Sequence, residues 1–111
     1  MKHFENREIA ARIRGLLSGQ GEPGVLAARL RVDETALRMS IDELSPYPTL
    51  DVIAAVVREY GIDPSWLITG DYDSTSHHAA IQASTAELAA VVSGVVHRAT
   101  ETPPYNLRVV R

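Results

Sequence analysis

Apolar side chains recur with a helical period along most of the chain. Ile9, Ile13, Leu16 and Leu17 form one stripe, with Arg7, Arg12 and Arg14 off it, which predicts a first helix over residues 7 to 17 capped by Asn6. Gly19, Gly21 and Pro23 stop that helix and start the next, because proline suits a first helical position. Residues 23 to 44 then read as two short helices around a tight turn. Val25, Leu26 and Leu30 line one face of the first, and Ala36, Leu37, Ile41 and Leu44 line one face of the second. Val32 fits the angle between them. Asp33 is suited to cap the second helix by accepting from its free N–H groups.

The proline pair in Ser45-Pro46-Tyr47-Pro48 rules out regular helix there. Thr49 is placed to cap a fourth helix carrying Leu50, Ile53, Ala54, Val57 and Tyr60, with Gly61 as its left-handed terminator. Asp63-Pro64 opens a short fifth helix that carries Trp66 and Leu67 and ends at Gly70. Trp66, the only tryptophan, is expected to plug the core at this corner. Residues 71 to 80 are polar and read as a linker. Ser84 and Glu87 form a capping-box pattern ahead of Leu88, Val91, Val92, Val95 and Val96, a wide apolar stripe that Ile81 extends if the helix starts earlier. Thr102-Pro103-Pro104 breaks that helix. Residues 105 to 111 alternate weakly and suggest an extended arm or strand.

The fold class that follows is all-α. Residues 1 to 72 carry five helices, residues 73 to 83 a linker, and residues 84 to 111 an amphipathic helix with an extended tail. That last helix either folds back or pairs with its copy in a second chain. Pairing through Leu88, Val91, Val92, Val95 and Val96 is the expectation, because five helices already close a small core.

Composition narrows the function. There is no cysteine, which excludes disulfides, thiol nucleophiles and zinc–thiolate sites. No apolar run approaches the roughly 20 residues that cross a bilayer, and the N-terminus lacks the apolar core of a signal peptide. A cytoplasmic protein with no membrane partner is expected. His3, His77, His78 and His97 have no metal-ligand spacing. There is no glycine-rich phosphate loop and no nucleophile motif, so no metal, no cofactor and no enzymatic activity are expected.

The net charge of −3 is unevenly spread. Residues 1 to 32 carry +3, residues 33 to 73 carry −7, and residues 74 to 111 carry +1. Only the N-terminal third could supply the basic face of a nucleic-acid binder.

In this order, the helices resemble the lambda-repressor-like, Xre-type helix-turn-helix family over about residues 6 to 72. The likeness rests on Leu26-Ala27-Ala28-Arg29-Leu30-Arg31-Val32, on Pro48-Thr49-Leu50-Asp51-Val52-Ile53, and above all on Tyr60-Gly61-Ile62-Asp63-Pro64-Ser65-Trp66-Leu67-Ile68-Thr69-Gly70-Asp71. The resemblance implies a compact five-helix lambda-repressor-like fold, often dimeric, whose third helix enters the major groove of double-stranded DNA. The chain departs from the family pattern in three places. Arg31 stands where the turn usually has glycine, and Pro23 where a DNA-contacting glutamine is usual. The loop before Pro48 is about one residue longer.

A groove-facing surface on the third helix would present Glu34, Thr35, Arg38 and Met39. Arg38 could read guanine bidentately, Thr35 could bond a base or phosphate, Met39 could touch a thymine methyl, and Glu34 could accept from cytosine. Phosphate contacts would rest on Arg29 and Arg31, with Arg12 or Arg14 as reserves. Two functions follow. One is a sequence-specific, homodimeric DNA-binding transcription regulator. The other is an assembly module of the same fold, whose acidic residues 33 to 44 have lost DNA and dock a protein partner.

Overall fold

The computed structural model describes residues 5–101. Among them the regular structure is entirely helical: α1 (Asn6–Leu17), α2 (Pro23–Leu30), α3 (Glu34–Ser40), α4 (Leu50–Tyr60), α5 (Pro64–Thr69), α6 (Ser74–Gln82) and α7 (Thr85–Glu101). No helix of the described residues is long and apolar enough to cross a membrane. The expected arm at residues 105 to 111 lies outside them.

Local chemistry places most helix starts. Asp33 accepts from the Ala36 amide (3.0 Å), Thr49 from Val52 (3.3 Å), and Asp63 from Ser65 and Trp66 (3.0 and 3.1 Å). Ser84 and Glu87 form the reciprocal capping box at 2.9 and 3.1 Å. Gly61 and Gly70 end α4 and α5 in the left-handed region. One start differs from expectation: Glu5 holds the cap position of α1 without a side-chain capping hydrogen bond, and Asn6 is already helical.

α4 is the central element, packed by α2, α3, α5, α6 and α7. It buries Val52, Ile53, Ala55, Val56 and Val57, a wider arc than one stripe, because α7 covers a second face. Leu50, expected in the stripe, stays exposed, as does Val25 of α2 at 61%. Trp66 is half-buried against the core rather than enclosed by it.

α7 folds back onto α4, α5 and α6. Leu88, Val92, Val95 and Ala99 are buried, and Val91 and Val96 flank them half-buried. Burying each of the larger side chains contributes about 1.5–3 kcal/mol. Leu88, Val92 and Val95 are therefore covered within one chain and are not left open to a second copy.

The polar stretch read as a linker is helix α6. Asp73 caps it by accepting from Thr75 and Ser76 (both 3.3 Å). Its buried face is only Ser76 and Ala80, so it has almost no apolar stripe to signal a helix. Hydrogen bonds hold it instead. The Ser76 hydroxyl donates to buried Asp63, and the Asp73 amide donates to the same carboxylate at 2.6 Å. His77 donates from Nε2 to the Gly61 carbonyl (2.9 Å) and accepts at Nδ1 from the Tyr72 hydroxyl (2.8 Å).

α3 stops at Ser40 instead of reaching Leu44, which is 84% exposed. The groups that would continue the helix are taken. Buried Ser40 donates to the Ala36 carbonyl (2.8 Å) and accepts from the Thr49 amide (3.1 Å). The Tyr47 amide bonds the Met39 carbonyl at 2.8 Å. The Asp42 carboxylate gathers the Leu44 and Ser45 amides into a turn.

Candidate nucleic-acid interface

The α2–α3 corner is closed by a Schellman turn. The Val32 amide bonds the Ala27 carbonyl (3.0 Å) and the Arg31 amide bonds the Ala28 carbonyl (3.2 Å). Arg31 sits at φ 63°, ψ 44°, the sole non-glycine residue with positive φ among the described residues. The left-handed region costs an ordinary residue about 1–2 kcal/mol. Arg31→Gly is therefore expected to stabilise the fold by about 0.5–1 kcal/mol after the added freedom of the unfolded chain is subtracted. An unchanged or lower urea midpoint would contradict this.

The six residues singled out on this corner do not share one environment. Glu34, Thr35, Arg38 and Met39 are all exposed on α3, at spacing that puts them on adjoining parts of one face. Glu34 and Arg38 are ion-paired: Arg38 Nε and Nη2 lie 2.9 and 2.7 Å from the same carboxylate oxygen, Oε2. Arg29 is turned away to a cluster that the sequence did not reveal. It donates to Gln20 and, at 3.1 Å, to the Tyr60 hydroxyl, and it pairs with Glu59 at 3.9 Å. Arg31 is exposed and makes no side-chain hydrogen bond with another described residue. It lines a shallow groove with Asp33, Asp51 and Arg58.

Arg12 and Arg14, the reserve phosphate contacts, have structural work. Arg12 donates to the Leu67 carbonyl at the end of α5 (3.0 Å) and pairs with Glu8 (3.4 Å). Arg14 donates to the Ile41 and Asp42 carbonyls just past α3 (3.0 and 3.4 Å). Arg58 does the same for α2 at the Leu30 carbonyl (2.8 Å). Three guanidinium groups thus satisfy helix-end carbonyls, where cations also complement the helix dipole. Near the α3 face, Arg31 and Arg38 stand against exposed Asp33, Glu34, Asp42 and Glu43.

Chemically, the α3 face offers one guanidinium, one hydroxyl and one thioether, a set suited to base edges. Its phosphate-binding capacity is small. No known family, curated protein or solved structure matches this chain.

Proposed function

We propose that this chain is a sequence-specific DNA-binding transcription regulator of the Xre-like helix-turn-helix type, acting in the cytoplasm as a homodimer. In this reading α2 and α3 are the two helices of the motif and α3 is the one presented to the major groove. The observation that carries it is the α3 face: Thr35, Arg38 and Met39 are exposed together on a short helix held against α2 by a closed turn. Arg31 at the turn is the available phosphate contact. Two copies would read half-sites about 34 Å apart.

The test is retention of duplexes from a random pool at two salt concentrations, with oligomeric state read on the same sample. Selective binding that weakens with salt supports the reading. Arg38→Ala is then expected to cost about 1–3 kcal/mol and to relax preference at one base pair. Unchanged selectivity in that variant would remove Arg38 from base reading.

A second reading is favoured by one observation. Arg12, Arg14 and Arg58 are committed to helix ends, which leaves the α3 surface acidic. A protein partner at residues 33 to 44 fits that surface. Failure to retain any duplex at low salt would select this reading over the first.

A further inference from the structure

Arg38 is not a loose cation. Its Nε and Nη2 both converge on Glu34 Oε2, at 2.9 and 2.7 Å. Nη1 has no hydrogen-bond partner among the described residues, and Nη2 keeps a second N–H. Glu34 Oε1 faces Gly24 of α2, where a Cβ would meet it at 3.3 Å. Gly24, Glu34 and Arg38 thus lie in order from the first helix of the pair to the guanidinium.

We propose that Glu34 is a positioning and specificity-determining residue: it holds Arg38 with its Nη1–Nη2 edge presented to a guanine. This rests on the DNA-binding reading above. A free arginine must give up rotamer freedom when it docks on a base. One biased toward a carboxylate has given up part of that freedom in the unbound protein, and its planar fork is more often aimed before contact. The carboxylate also opposes nearby phosphates, which weakens binding to every sequence alike. Glu34 therefore exchanges general affinity for selectivity. That accounts for an acid in the first turn of a helix that faces a polyanion.

The experiment takes the full chain, a duplex selected from the random pool, and the same duplex with the guanine read by Arg38 replaced. Wild type, Glu34→Gln, Arg38→Ala and the double variant are compared on both duplexes. Glu34→Gln is expected to lose about twofold in discrimination between them, the size that an exposed i,i+4 pair can supply. Its binding to random duplex should hold or strengthen. In the Arg38→Ala background the same change should add nothing further, as coupling through one contact requires. Helical circular dichroism and the urea midpoint should stay near wild type, because an exposed i,i+4 pair adds little to stability. Tighter binding with discrimination intact would overturn the proposal, since Glu34 would then merely repel DNA. Loss of discrimination that persists without Arg38 would overturn it as well. If the wild type itself retains no duplex, the DNA reading falls and takes this proposal with it. If only Glu34→Gln behaves unexpectedly, the DNA reading stands.

Discussion

Replacing Asp63 with alanine is expected to destabilise the chain by about 2–4 kcal/mol, from a lost cap of about 1 kcal/mol and one buried and three part-buried donors left unpaired. Asp63 is 3% exposed. Its two oxygens accept from the Ser65, Trp66 and Asp73 amides and from the Ser76 hydroxyl. Alanine removes all four acceptor interactions, three of them part-buried and the one from Ser76 buried. Against a total of about 5–15 kcal/mol for a typical domain, such a loss is large. The thermal midpoint should fall by roughly 10–20 °C. Asparagine keeps one acceptor oxygen but turns an N–H group toward other donors, so it should restore only part. Urea unfolding of both variants checks this. A drop below about 1 kcal/mol for alanine would mean the cap alone matters and the tie to α6 does not.

The second large effect is at Val92. Its side chain is fully buried on α7. Val92→Asp places a charge there without a partner, at a cost of about 3–5 kcal/mol. Because α7 packs on α4 and α5, loss of its seat should not be local. Trp66 on α5 reports this directly: its fluorescence change and the loss of helical signal should coincide along one urea transition. Val91→Asp, at a half-buried position, should cost much less. The contrary result would be a monomer with an undisturbed Trp66 signal in Val92→Asp. That outcome would place Val92 at a contact between copies instead of in the chain's own core.

How much could be read from the sequence follows from the range of each interaction. The caps at Asp33, Thr49, Asp63 and Ser84 act within about one helical turn, so residue identity and spacing revealed them. The exposed positions of α3 followed from period alone, and the Glu34–Arg38 pair is an i,i+4 neighbour. The arginine caps were hidden because their carbonyls lie 55, 27 and 28 residues away for Arg12, Arg14 and Arg58. Sequence periodicity carries no sign of such pairings. The partners of Arg29 were hidden for the same reason: Tyr60, one of them, is 31 residues distant. α6 went unseen because hydrogen bonds to Asp63 and Gly61, not an apolar stripe, hold it. The early end of α3 was missed because Ser40, Tyr47 and Thr49 close it by folding the proline loop back. Arg31 showed the converse. Its place in the turn was visible, and the chain adopts the costly backbone instead of a different turn.

The capping arginines also bear on how a polyanion would be encountered. A guanidinium bonded to a carbonyl keeps its charge but gives up donors, so Arg12, Arg14 and Arg58 add to the distant field without offering a handhold. With a net charge of −3, that distant field is repulsive to a duplex. Attraction therefore does not draw the two together from afar, and the described residues hold few free donors to keep the protein on arbitrary sequence. Sliding along DNA needs such a weak, indiscriminate hold. On the DNA-binding reading, such a chain would reach its site by repeated collision through solution, and its arrival rate would climb as salt screens the approach.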